Sequence, residues 1–245
     1  MITKILSGNS RLKTDQLFEQ LTVQEQEALL GPGVTHVYKK GEMLFRDGGI
    51  PTGIYYIRSG VVKKFKTTAK GGEQIFYLCG EGELIGYHAL LGEELYSDSA
   101  ATIIDSQITF IPKDDFVKVL RSSATLSNAL LKALGHEFSL FINSITNLRT
   151  KSVRERLAFN LLLLDMKFNS SKQSDIASDI QLSRTDLANL VGTAKETLVR
   201  QLQEFKREGI IDKTDKTIRI VDRKRIIKEA NLLGLNQKKS RSNIP

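Results

Sequence analysis

Between Thr35 and Pro112 the chain is cut by turn residues into short β-rich runs, and beyond Pro112 its apolar residues recur at helical spacing. This change of period constrains the fold more than any other feature. The runs are Val34–Tyr38, Met43–Phe45, Ile54–Ile57, Val61–Phe65, Gln74–Leu78 and a stretch from Ile103-Ile104 to Phe110-Ile111, with glycine-bearing turns between most of them. Short strands with regular turns predict a β-sandwich or small barrel. An amphipathic opening (Leu12, Leu17, Phe18, Leu21, Leu29, Leu30) precedes them and stops at Gly31-Pro32-Gly33. With 245 residues, 40% of them hydrophobic, the chain can build one large or two small cores. Its single cysteine, Cys79, excludes an intrachain disulfide framework and any multi-cysteine zinc or iron–sulfur site. Met1–Ser10 lacks the apolar stretch of a secretory signal and the longest aliphatic run is Leu161–Leu164, so a cytoplasmic protein without membrane contact is expected.

After Pro112 the acidic pair Asp114-Asp115 suits a helix N-terminus. Apolar residues then fall at Leu126, Leu130, Leu134, Phe138, Phe141, Ile145 and Leu148. From Leu134 onward they step by four, three, four and three, the seam of a coiled coil. The competing reading is a helix packed on its own β-domain. His136 is taken as a surface or packing residue. Charge divides the chain as well: residues 1–150 carry 16 Lys and Arg against 16 Asp and Glu, while residues 151–245 carry 20 against 12. The net +8 therefore sits wholly in the second part, which is expected to meet a polyanion.

That part holds the most informative segment, Leu182 to Leu202, which follows a helix at Val153–Ala158 and Leu161–Leu164 and a polar linker at Asn169–Ser174. Ser183 can cap a first helix whose apolar face is Leu187, Leu190 and Val191. Gly192 supplies the turn, and Ala188 is small enough for two helices to cross closely. A second helix starting near Thr193 turns Leu198 and Leu202 inward and projects Lys195, Glu196, Thr197 and Arg200 from its N-terminal outer part. A recognition helix presents that part to base edges in the major groove. Arginine can read guanine bidentately, and glutamate can accept from a cytosine amino group. Glu208–Ile211, Lys213–Lys216 and Ile218–Ile220 read as strand, turn and strand, giving a winged helix-turn-helix.

The segment Gly80–Gly92 is unlike the other turns. Gly86 beside the short apolar run Tyr87-His88-Ala89-Leu90-Leu91 can aim backbone N–H groups at an anion, although a β-bulge would account for the glycines equally well. Together with Lys40–Gly48 and Tyr56–Lys63, this stretch resembles the cyclic-nucleotide-binding β-roll of the Crp/Fnr family of bacterial transcription regulators (the cyclic-AMP receptor protein and the fumarate–nitrate regulator). The resemblance spans about residues 15–230. Its phosphate-binding cassette falls on Ile85–Thr102, where Gly86 and Ser97 match the family. Tyr87 stands where a ribose-binding glutamate is usual and Tyr96 where a phosphate-binding arginine is usual, with the acidic Asp98 close by. A buried cyclic phosphate needs a cation or dense N–H donors, so these departures argue against ordinary cyclic AMP. Cyclic AMP, a different small effector recognised by Tyr87, His88 and Tyr96, and a ligand-free, constitutively competent roll remain the three readings. In the helix-turn-helix, Glu196, Thr197 and Arg200 match the family's recognition residues, while Ala194 and Lys195 replace its Ser and Arg. Arg184, next to Thr185, matches a residue that touches backbone phosphate.

The resemblance implies an α+β architecture: a cyclic-nucleotide-binding-type β-roll, or jelly-roll, over 1–125, a dimerisation helix over 126–150 and a winged helix-turn-helix over 151–235. A basic flexible tail, 236–245, completes the chain. It implies a homodimeric regulator binding double-stranded DNA at an inverted repeat with a TGA-containing core, with RNA polymerase as a further partner. DNA contacts are expected from Arg184, Thr185, Lys195, Glu196, Thr197 and Arg200. Effector contacts are expected from Gly86, Tyr87, His88, Tyr96 and Ser97, and the dimer seam from Leu134, Phe138, Phe141, Ile145 and Leu148. No cofactor is assigned beyond a small-molecule or nucleotide effector. The histidines His36, His88 and His136 have no metal-ligand spacing, and no Walker loop or nucleophile elbow is present, so no enzyme activity is expected. The rival is a ligand- or protein-binding roll without DNA contact.

Overall fold

The structure, a computed structural model, describes residues 20–69, 71–169, 179–215 and 217–231. The chain divides into two compact units, with the boundary at Ser144–Ile145 inside a long helix. In the first unit, α1 (Val23–Leu30) begins at Thr22. The Thr22 hydroxyl accepts from the Glu25 amide at 3.2 Å, and the Glu25 carboxylate accepts from the Thr22 amide at 2.9 Å. This reciprocal pair satisfies two donors at the helix start. The helix ends at Gly31, where the sequence predicts a stop. Leu12, Leu17 and Phe18 lie outside the described residues.

Eight strands follow: β1 (Val34–Tyr38), β2 (Met43–Phe45), β3 (Gly53–Ser59), β4 (Val62–Thr67), β5 (Glu73–Cys79), β6 (Leu84–Ile85), β7 (Ser99–Thr102) and β8 (Ser106–Pro112). A short helix, α2 (Tyr87–Leu91), separates β6 from β7. The strands pair antiparallel into two four-stranded sheets, ordered β1-β8-β3-β6 and β2-β7-β4-β5. Ile57, Ile85 and Ile108 from one sheet meet Val62, Cys79 and Ala100 from the other in a single buried cluster. The β-roll is thus present, with two strands, β6 and β7, beyond the six runs that the sequence pattern marks. The run beginning at Ile103 is the turn and strand after β7; β7 itself precedes it. Its residues, Ser-Ala-Ala-Thr, are all buried between β2 and β4, so no apolar alternation betrays it.

From β8 the chain enters α3 (Lys113–Ser122), with Asp114 and Asp115 in its first turn as predicted, and then α4 (Ala124–Thr150). Phe116 of α3 and Leu126, Leu130 and Ala133 of α4 pack with Leu29, Ile54 and Ile111 in a second core cluster.

In the second unit, α5 (Val153–Asn169), α6 (Arg184–Val191), α7 (Lys195–Arg207), the hairpin of β9 (Ile211–Lys213) and β10 (Ile218–Ile220), and α8 (Arg223–Glu229) form a winged helix-turn-helix. Leu157, Leu161, Leu187, Val191, Leu198, Leu202, Phe205 and Ile226 are buried. Leu161, Leu162 and Leu164 are all buried, so α5 buries more than the single face expected of an amphipathic helix. The sequence reading did not anticipate α8, which Asp222 caps by accepting from the Arg225 amide at 2.9 Å. Beyond Asn169 the predicted linker lies outside the described residues, as does the 236–245 tail. Among the described residues no helix is long and apolar enough to cross a membrane.

Candidate functional site

The helix-turn-helix takes its shape from two local devices. Ser183 caps α6, its hydroxyl accepting from the Asp186 amide at 2.9 Å. Gly192 ends the helix at φ 70°, a left-handed conformation that costs glycine least, and its amide donates to the Ala188 carbonyl at 2.9 Å. Buried Ala188 lies on α6 in the position expected for a close helix crossing. The second helix, α7, begins at Lys195, two residues beyond the expected start, with Ala194 as its cap. Leu198, Leu202 and Phe205 hold its inner face. On the outer face Lys195, Glu196 and Arg200 are exposed and Thr197 is half-buried. None of these four side chains makes a hydrogen bond or ion pair to another described residue.

Arg184 is placed differently from these four. Its Nη2 donates to the Thr214 carbonyl in the wing turn at 2.6 Å, and its buried Nη1 has no acceptor. Burial pulls this guanidinium below the ordinary arginine value. Thr185 beside it is exposed. Two arginines that sequence reasoning passed over fix the module from behind. Arg154 of α5 grips Glu208 with both terminal nitrogens, at 3.0 and 2.8 Å, and donates from Nε to Glu229 at 2.7 Å. Its guanidinium also lies 4.6 Å from the centre of the Phe205 ring, joining α5 to the far end of α7. Arg156 donates to the Val191 carbonyl at 2.7 Å and the Gly192 carbonyl at 3.1 Å, in the turn between α6 and α7. The same guanidinium reaches the Lys151 carbonyl at 2.6 Å, just past the end of α4. The only sequence signal for this pair was their spacing: two arginines flanking Glu155 at the start of the helix.

In the first unit a cavity of about 570 Å³ lies between the β2-β7-β4-β5 sheet and α4. Phe76, Leu134, Phe138, Leu140 and Phe141 supply its apolar wall, while Lys64, His88, Asp98 and Glu137 line it with charged or polar groups. Lys64, only 3% exposed, pairs with Asp98 at 3.4 Å and with Glu137 of α4. Tyr87 donates its hydroxyl to Glu137 at 2.9 Å, and His88 Nε2 lies 3.4 Å from Asp98. Burial alone would push the Lys64 ammonium down, but Glu137 and Asp98 outweigh it and hold the lysine above its usual range. Burial likewise favours protonation of both acids, yet Lys64 keeps Glu137 and Asp98 below the ordinary carboxylate value. Burial, and then Glu137, raises the Tyr87 phenol.

Of the five residues expected to meet an effector, His88 and Ser97 line this cavity. Gly86, at φ 87°, starts α2 and so sets Tyr87 on its path toward Glu137. Tyr96 is a core residue: it stacks on Phe45 with ring centres 4.0 Å apart and donates to the Gly53 carbonyl at 3.2 Å. The sequence reading found no cation for a phosphate, yet Lys64 is a buried one. Adjacent lysines in a strand point to opposite faces, so the Lys63-Lys64 pair was the signal for it. Along α4, Leu134 is half-buried at the cavity, whereas Phe138, Phe141, Ile145 and Leu148 are exposed, Phe138 at 67%.

Residues 35–123 match the family model of the cyclic nucleotide-binding domain, and residues 155–228 match that of the Crp-like helix-turn-helix domain. The cyclic AMP receptor protein of Thermus thermophilus is 27% identical over 200 residues, covering 82% of this chain and 89% of that protein. The transcriptional activator protein FnrA of Stutzerimonas stutzeri is 28% identical over 184 residues, covering 75% of each. A Crp/Fnr-family regulator structure from Eubacterium rectale superposes with a TM-score of 0.69 over 87% of this chain and 97% of its own. At 20% identity that likeness speaks for the fold alone.

Proposed function

Because the chain belongs to the Crp/Fnr family of transcription regulators, with its helix-turn-helix DNA-binding domain, we propose that it works as a homodimer on an inverted-repeat operator. The observation that carries this reading is the outer face of α7, where Lys195, Glu196, Thr197 and Arg200 stand uncommitted to any described residue. Glu196 and Arg200 have the chemistry to read a TGA-containing half-site, with Lys195 and Thr197 assisting. Arg184 and Thr185 would meet backbone phosphate beside them. The exposed stripe Phe138, Phe141, Ile145 and Leu148 supports pairing through α4, with Leu134 at its upper end.

Three working parts follow: a sensor roll over 1–125, a dimer helix over 126–150 and a DNA-binding part over 151–235. The protein acts in the cytoplasm, with RNA polymerase as its second macromolecular partner. The cavity beside α4 is the effector site, and its charge argues against cyclic AMP. Selection of genomic fragments by the purified protein tests the reading. Enrichment of one inverted-repeat sequence is the expected outcome; retention of no DNA would leave the roll as an interaction module and overturn it.

A further inference from the structure

The cavity beside α4 has a charge balance that selects the class of molecule it can take. We propose that it binds a small apolar molecule carrying a protonated amine, an inference that rests on the reading of this cavity as the effector site. Two lysines line the cavity. Lys66, at its rim, is committed to Asp47 at 2.7 Å and to the Ser97 carbonyl at 2.8 Å. Lys64 faces two carboxylates, Asp98 and Glu137, so at the polar end a single buried ammonium is set against two acids. An anionic head would face both acids. Freeing Lys64 to meet it would leave two carboxylates uncompensated in a buried setting.

Hydrogen bonding points the same way. Asp98 is almost wholly buried, yet its Oδ1, with His88 Nε2 3.4 Å away, accepts no hydrogen bond of good geometry, and the buried Nδ1 of His88 has no partner. A buried carboxylate oxygen left without a well-formed hydrogen bond is costly, and an ammonium supplies a charged donor for it. The remaining wall suits the rest of such a molecule. Phe76 and Phe141 meet edge to face with ring centres 6.1 Å apart, and Leu134, Phe138 and Leu140 continue the apolar lining. Aromatic faces beside a carboxylate favour an organic cation over an organic anion. The volume of about 570 Å³ fits a body of one or two rings.

The test is calorimetry on the full-length protein with 2-phenylethylamine, 3-phenylpropanoate and cyclic AMP. The amine is expected to bind one per chain, at least about tenfold tighter than the carboxylate of similar size. Asp98→Asn is expected to weaken the amine by about tenfold while leaving the carboxylate unimproved or modestly improved. The wild-type preference stands without that variant, should it fold poorly. Equal or tighter binding of 3-phenylpropanoate, amine affinity unchanged in Asp98→Asn, or no heat from the amine would each overturn the assignment. Tighter cyclic AMP binding would overturn the ligand class while keeping the cavity as the effector site. Genomic-fragment retention by the same preparation reports separately on the regulator reading, so failure of one is not mistaken for failure of the other.

Discussion

At the residue scale, Lys64 shows where reading one sequence stops. Lysine in a strand was plain, but its partners Asp98 and Glu137 lie 34 and 73 positions away, and only the fold brings them together. The cluster predicts a pH dependence. Glu137 and Asp98 titrate below their unfolded values, so their contribution to stability is present above the unfolded carboxylate range and is lost as pH falls through the folded values. Lys64 titrates above its unfolded value, so its contribution is present at neutral pH and lost only in strong alkali. Glu137→Gln should therefore cost about 3 kcal/mol at pH 7 and flatten the acid limb of the stability curve, read by urea unfolding from pH 7 to pH 3. An unchanged acid limb would mean the cluster does not govern it. On the DNA side, Arg200→Ala should lose about 1–3 kcal/mol on the preferred operator and little on random DNA. Arg184→Ala should weaken all sequences alike and lower the salt slope by about one, while also releasing the wing turn it holds through Thr214. Anisotropy titrations at several salt concentrations separate the two.

At the element scale, α4 packs on its own domain over only part of its length. Leu126, Leu130 and Leu140 pack on the roll, and from Phe138 to Leu148 the seam residues are left exposed. A four-three repeat names the stripe but not which turns its own domain covers; that depends on where the roll ends. Phe138→Glu with Ile145→Glu should turn the dimer into a monomer in sedimentation velocity at little cost to the roll, because both side chains are exposed within the chain. A variant that still sediments as a dimer places the seam elsewhere. The helix-turn-helix was legible because its glycine, its small residue and its cap are all local. Strand β7 was not, because small buried residues carry no periodic signal. Arg156 is a third case: legible as an arginine, opaque as the donor that holds the α6–α7 turn. Arg156→Ala should destabilise that turn by about 2 kcal/mol, seen as faster amide exchange at Gly192 and Thr193, and weaken operator and random DNA together. Arg156→Lys should restore only part of the loss, since an ammonium cannot fork across the carbonyls.

At the scale of the whole molecule, the division of labour was visible in charge before any fold was known: a neutral half, then a half carrying the entire +8. The structure sets its unit boundary at Ser144–Ile145, within a few residues of that change. What a single chain does not record is the relation of two copies, and that relation decides how DNA is read. If α4 pairs two chains about a two-fold axis, the operator meets one α7 helix per half-site, and the two are expected to enter successive major grooves on one face of the duplex, about one helical turn apart. Inserting about five base pairs between the half-sites turns them to opposite faces of the DNA, and affinity should fall to that of a single half-site. Inserting a full turn of about ten should restore the facing but not the distance, so recovery should be small. The Phe138→Glu, Ile145→Glu monomer should be indifferent to both insertions. Equal affinity of the wild-type protein for all three spacings would show that the DNA-binding units act independently, and that pairing through α4 does not set the operator.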